Sequence, residues 1–142
     1  MILPDVNVLI HAHNQDSPIH QDALRWWQEC LAGRIGVGLA WVTLLGFLRI
    51  STHRRILASP LPHRLVLQDI GRWLELPHVH IPHPSERHFQ ILSRFIDQAG
   101  TAGNLTTDAH LAALAIDRGY VLHSTDRDFG RFDGLRWINP LH

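Results

Sequence analysis

At 142 residues the chain has the length of one ordinary domain, and its 45% apolar and 18% charged content describes a globular chain rather than a disordered one. Thirteen acids balance thirteen bases, so net charge does not by itself announce a nucleic-acid partner. All thirteen bases are Arg, a side chain suited to bidentate phosphate contact though equally explained by compositional bias, and the lack of Lys excludes any mechanism that needs a lysine.

In chain order, Ile2 and Leu3 begin a short buried strand, followed by a helix or helical turn over 7–13. Pro18 suits the first turn of a second helix that runs to about Leu31, with Ala23, Trp26, Trp27 and Cys30 at helical spacing and Gly33 as its stop. Residues 35–40 read as a strand and 41–52 as a buried helix ending in the exposed cluster His53-Arg54-Arg55. Pro60-Leu61-Pro62 opens a helix through Leu76, and 79–81 form a short strand between prolines. Ser85 is placed to cap a helix that ends at Gly100. Thr106-Thr107-Asp108 leads into a helical run over 110–118, stopped by Gly119. A strand over 120–124, a helical turn over 126–131 and a last strand over 136–138 complete the chain. Strands alternating with helices predict one α/β domain, 1–142, built on a mainly parallel sheet of four or five strands.

The lone Cys30 rules out an intrachain disulfide and is expected to be buried. The first residues lack a basic region and a long apolar run, and no stretch approaches the roughly 18 apolar residues of a membrane span. A cytoplasmic protein without membrane contact is expected.

Two of the strands run straight into aspartate: Asp5 after the first, Asp126 and Asp128 after the fourth. Asp108 opens the helix that feeds that fourth strand. Each acid has a local explanation as a helix cap, a first-turn charge or a turn former. Jointly, all can face one crevice at the carboxyl edge of the sheet, where open α/β sheets bind ligands. Clustered carboxylates repel one another and imply a cation, and Mg²⁺ takes oxygen ligands. Asn7, Asn104, Thr107 and Thr125 are candidate supporting residues that orient ligand oxygens or metal-bound water.

The segments Leu3-Pro4-Asp5-Val6-Asn7-Val8-Leu9-Ile10, Ala102-Gly103-Asn104-Leu105-Thr106-Thr107-Asp108-Ala109-His110-Leu111-Ala112-Ala113-Leu114-Ala115 and Ser124-Thr125-Asp126-Arg127-Asp128-Phe129 resemble the motifs of PIN-domain ribonucleases. The similarity is greatest to VapC-type toxins of bacterial toxin–antitoxin pairs and extends over essentially the whole chain. It implies a PIN-like α/β/α sandwich and Mg²⁺- or Mn²⁺-dependent endonucleolytic cleavage of RNA. It also implies neutralisation by a cognate VapB-like antitoxin, and a homodimer. Carried over by position, Asp5, Asp108 and Asp126 match the family's catalytic, metal-binding acids, with Asp128 as a candidate fourth ligand. The family's further acid, a Glu on the helix after the second strand, is here Gly46, in Thr43-Leu44-Leu45-Gly46-Phe47-Leu48-Arg49. Either Asp128 makes up the charge, or one metal is held weakly, or catalysis is impaired. A PIN-like protein that binds RNA or a partner without cutting is therefore the alternative.

Other patterns were weighed beside this one. Arg49, His53, Arg54 and Arg55 form a basic cluster that is either a solvated helix end or an RNA-phosphate contact. One of Trp26 and Trp27 is expected in the core, the other on a helix–helix or dimer surface or stacked on a base. His78-Val79-His80-Ile81-Pro82-His83 suggests zinc but lacks converging third and fourth ligands. Phosphotransfer enzymes with an aspartate after the first strand need a lysine that this chain does not have.

Overall fold

The structure, a computed structural model, describes residues 1–141. Its strands are β1 (Ile2–Pro4), β2 (Val37–Gly38), β3 (Val79–His80), β4 (Val121–His123) and β5 (Trp137–Ile138). They form one sheet in the spatial order β3-β2-β1-β4-β5, and every neighbouring pair is parallel. The helices are α1 (Val6–His13), α2 (His20–Ala32), α3 (Trp41–Ser51), α4 (His63–Glu75), α5 (His88–Ala99) and α6 (Thr106–Arg118). Two 3-10 turns, Gly103–Leu105 and Arg127–Arg131, flank the last part of the chain. This is the α/β/α architecture expected from the alternation of elements, with five strands.

Strand order decides where a ligand can go. The chain builds outward from β1 through β2 to β3, then returns to the other side of β1 with β4. The connections therefore diverge between β1 and β4, and the crevice of a parallel sheet opens at such a switch point. A bond from the Asp5 N–H to the His123 carbonyl (2.9 Å) continues the β1–β4 ladder one residue past the strand. Asp5 thus sits at the crevice as an extension of the sheet.

Each sheet face buries its own apolar cluster. Leu3, Leu122, Leu111, Leu114, Phe95 and Phe129 pack on the side of α5 and α6. Leu9, Trp27, Val37, Leu44, Phe47 and Trp73 pack on the side of α1 to α4. Burial on both faces is what βαβ crossovers impose on a parallel sheet. Gly100 and Gly119 close α5 and α6 at φ +74° and +73°, the left-handed backbone that ends helices without a Cβ penalty.

The structure moves several expected boundaries. Ladder pairing in the second strand covers only two residues of the expected 35–40, although bonds from Ile2 N to the Gly36 carbonyl and from Leu39 N to the His80 carbonyl prolong the extended run. Pro18 stands before α2 rather than in its first turn, because the helix starts at His20. Ser85 does not cap α5; Arg87 holds that position without a side-chain cap bond. Ser85 is instead committed to Asp117 near the end of α6, donating its hydroxyl (2.6 Å) and backbone N–H (2.8 Å) to the carboxylate. Arg87 adds an ion pair at 3.4 Å. Trp27 is the core tryptophan, whereas Trp26 stacks on His123 at 5.7 Å between ring centres and so packs against the sheet. Cys30 is buried, which pushes its thiol pKa up to about 12. Among the described residues no helix is long and apolar enough to cross a membrane.

The Asp117 contacts tie the segment before α5 to α6 and hold its carboxyl below the usual range, Ser85 being the main cause working against burial. Asp117→Ala is expected to cost about 1.5–3 kcal/mol at pH 7, the range for charged hydrogen bonds. Because the folded pKa is depressed, this contribution is present above the unfolded value of 3.8 and fades as pH falls through the folded one. Urea denaturation at pH 7 and pH 3 measures both; an unchanged midpoint at pH 7 would refute the tie.

Candidate active site

Asp5 follows β1 and is only 8% exposed. Its two oxygens have separate tasks. Oδ1 accepts the backbone N–H of Val6 at 2.7 Å, so the residue does cap α1. Oδ2 accepts the hydroxyl of Ser124 at 2.8 Å from the end of β4. Burial raises the Asp5 pKa; the Ser124 and Val6 bonds oppose this, and the charge of Asp126 adds to it.

Ser124 is the hub of the crevice and is fully buried. Besides donating to Asp5, its oxygen accepts the side-chain amide of Asn7 (3.2 Å) and the backbone N–H of Asp126 (3.0 Å). Its own carbonyl accepts the Trp137 indole N–H at 2.9 Å. One hydroxyl thereby fixes the spacing between the residues that follow β1 and those that follow β4. Among the four candidate supporting residues, only Asn7 joins this network. Thr125 is half-buried but bonds none of the acids, and Asn104 and Thr107 are exposed beside the start of α6.

Asp126 caps the following 3-10 turn by accepting the Asp128 N–H at 2.9 Å, which leaves its second oxygen without a bond among the described residues. Asp128 is exposed and lies 3.8 Å from the Arg131 guanidinium. Asp108, in the first turn of α6, is half-buried, and no hydrogen bond to its carboxylate is present among the described residues. Its pKa is pushed up to about 6, first by burial and then by the charges of Asp5, Asp126 and Asp128, with Arg131 acting in the opposite direction. The four acids expected to converge therefore do feel one another, and Asp108 carries the cost.

This donor set is all oxygen and strongly negative, which suits a hard divalent cation. Among the described residues no three His, Cys, Asp or Glu side chains form a ready-made cage. That fits Mg²⁺, which dehydrates reluctantly and is usually held by one or two carboxylates, its own waters and substrate phosphates.

Gly46 faces α1: a Cβ there would stand 3.3 Å from Cγ2 of Val6, the residue after Asp5. The helix backbone thus packs where the expected acid side chain would begin. Thr43, one turn earlier and buried, points its hydroxyl at the Pro4 carbonyl (3.4 Å). The basic candidates lie further along the same stretch: Arg49 is exposed in the last turn of α3, and His53, Arg54 and Arg55 follow it. None of them pairs with the acids, and six residues from Thr43 to Arg49 span about 9 Å of helix. The zinc pattern dissolves because His78 contacts the Cys30 carbonyl (3.0 Å) and His80 contacts the Tyr120 hydroxyl.

Two participants were missed from sequence. Ser124 was legible in principle, since strand alternation places it on the same face as Leu122 beside the strand end, yet Thr125 was preferred. Arg131 had only its three-residue spacing from Asp128 to mark it.

For a cluster of this kind, neutralising one acid should stabilise the metal-free chain. At pH 7.5, Asp108→Asn is expected to add about 1–2 kcal/mol, less than the full linkage value because half of the carboxylate meets water. The raised folded pKa makes the penalty complete above about 6, and it vanishes as pH falls towards 3.8. The gain should therefore shrink at pH 4.5. Denaturation in EDTA at both pH values tests this, and a loss of stability at pH 7.5 would contradict the repulsion.

The family model described as PIN domain matches residues 2–135 of the chain. Ribonuclease VapC33 of Mycobacterium tuberculosis is 42% identical over 141 residues, which covers 99% of each chain. Ribonuclease VapC37 of the same organism is 42% identical over 140 residues, covering 99% of this chain and 97% of that one. Among solved structures, FitAcB from Neisseria gonorrhoeae aligns over 100% of this chain and 99% of that one, with a TM-score of 0.73 at 19% identity. A DNA-bound VapBC2 from Rickettsia felis aligns over 98% of both, with a TM-score of 0.65 at 18% identity. The structural likenesses speak for the fold.

Proposed function

Since the chain belongs to the PIN-domain family and is similar over its full length to named VapC ribonucleases, we propose that it is a VapC-type endoribonuclease toxin neutralised by a cognate antitoxin. The observation that carries this reading is the field of four acids at the β1–β4 switch point, with Asp5 buried there and Asp108 raised to about 6. We assign Asp5, Asp108 and Asp126 as the metal-holding acids and Asp128 as a supplementary charge. Bound there, Mg²⁺ or Mn²⁺ would supply a more acidic water and offset charge on the phosphate oxygens.

The chain's own residues do the remainder. Ser124 fixes Asp5 relative to Asp126, so the two carboxylates cannot drift apart when substrate enters. The unbonded oxygen of Asp126 and the unbonded carboxylate of Asp108 are free to accept a proton from the attacking water. Asn7 holds the far side of Ser124 and keeps its hydroxyl aimed at Asp5. No covalent protein nucleophile is required. An antitoxin segment lying across the crevice would silence it by presenting an Arg to the carboxylates. A homodimer is part of the same proposal, to be checked by light scattering.

Purified protein should cut single-stranded RNA with Mg²⁺ or Mn²⁺ and stop in EDTA. Asp5→Asn and Asp126→Asn should each reduce the rate about 100-fold or more, as loss of a group that stabilises transition-state charge does. Activity should also fall below about pH 6, where protons compete for Asp108. Cleavage that persists in EDTA would sink the assignment.

Gly46 favours a second reading, in which the same fold binds RNA or a partner and cuts weakly or not at all. The close approach of α3 to Val6 leaves no room for an added acid without movement. RNA binding that survives EDTA, with no cutting by highly purified protein, would select it.

A further inference from the structure

Between the end of α5 and the 3-10 turn Arg127–Arg131 lies a cavity of about 280 Å³, lined by Phe95, Gln98, Ala99, Arg131 and Phe132. Its floor is aromatic and buried: the Phe95 and Phe132 rings lie 5.0 Å apart at 55°. Its rim is polar. Gln98 is exposed, and its side-chain amide takes part in no hydrogen bond among the described residues, so both its donor and its acceptor are unspent. Arg131 reaches from the same rim to Asp128, 3.8 Å away, and its charge is felt by Asp108. The cavity therefore adjoins the acids through a guanidinium that is itself 43% exposed.

We propose that this cavity is a nucleotide subsite that selects the RNA base next to the cut, with Arg131 holding a phosphate at its mouth and Gln98 reading the base edge. The proposal deepens the nuclease reading and rests on it. Three features set the chemistry. Sequence-selective RNA recognition works on splayed, single-stranded bases that stack on aromatic rings or guanidinium planes and hydrogen-bond along their edges. An unspent amide offers the paired donor and acceptor that such an edge requires. The volume lies just under the roughly 300 Å³ at which drug-sized ligand pockets begin, which suits one planar ring rather than a larger group. Arg131 brings a permanent cation to a site otherwise lined with carboxylates, where an RNA backbone would be repelled until a cation is bound. Its pairing with Asp128 is long and open to water, so a phosphate oxygen can replace that carboxylate at little cost.

The test uses Gln98→Leu, which keeps volume and removes both hydrogen-bonding groups, and Ala99→Phe, which fills the cavity. Neither residue belongs to the acid cluster. A randomised single-stranded RNA pool is cut with Mn²⁺ and the new ends are sequenced. Wild-type protein should show a base preference at one position beside the cut. Gln98→Leu should weaken that preference by about tenfold while total cutting stays within about twofold. Ala99→Phe should abolish it. In parallel, each of the four 5′-mononucleotides is titrated into metal-free wild-type protein while the Gln98 side-chain amide is followed by NMR. One base is expected to shift that signal selectively. The titration does not depend on cutting, so a chain that fails to cleave but shows the selective shift loses the nuclease reading and keeps the subsite. Unmoved Gln98 signals with all four nucleotides overturn the proposal, as does an unchanged base preference in both variants. Loss of antitoxin affinity in Gln98→Leu with base preference intact would assign the cavity to the antitoxin instead.

Discussion

The structure turns on holding like charges together. Carboxylates placed side by side without a cation oppose folding, and a chain that assembles them must hold them by other means. Here the means are concentrated at the β1–β4 seam. The sheet ladder runs one residue past β1 to Asp5, and the buried Ser124 hydroxyl bonds Asp5 while receiving the Asp126 N–H and the Asn7 amide. The strain of assembly falls on Asp108, which comes from a different element and has no hydrogen bond to relieve it among the described residues.

Each acid also serves its own segment. Asp5 caps α1 and Asp126 caps the 3-10 turn after β4, as their local patterns suggest. Structural and functional readings are therefore not rivals here. Asp126 spends one oxygen on its turn and keeps the other, so a cap and a metal ligand can be the same side chain. Because caps fix the carboxylate relative to the backbone, the local duty makes the site more preorganised.

The approach of α3 to α1 carries the other constraint. Gly46 lets the α3 backbone come close to Val6, and Thr43 contacts the strand end through the Pro4 carbonyl. A large side chain at residue 46 would have to displace α1, whose start is fixed by Asp5. The missing acid is thus compatible with tight packing behind the site, and the negative charge is concentrated on the side of β4 and its following turn, at Asp126 and Asp128. Arg131, on that same turn, tempers it.

Much of this was fixed by local information. Alternating apolar runs, prolines and stop glycines give the order and type of the elements, because period and backbone preference are properties of neighbouring residues. The aspartates after β1 and β4 are equally visible, since strand ends can be read from composition. Only the tertiary structure decides which polar groups meet. Thr125 and Ser124 are adjacent in sequence and similar in chemistry, but the pleat turns Ser124 to Asp5 and leaves Thr125 without a bond to the acids. Likewise Ser85 looks like a cap until α6 brings Asp117 to it, 32 residues away. Contacts between residues separated by 32 or 119 positions depend on how strands and helices stack, and no local pattern encodes that distance.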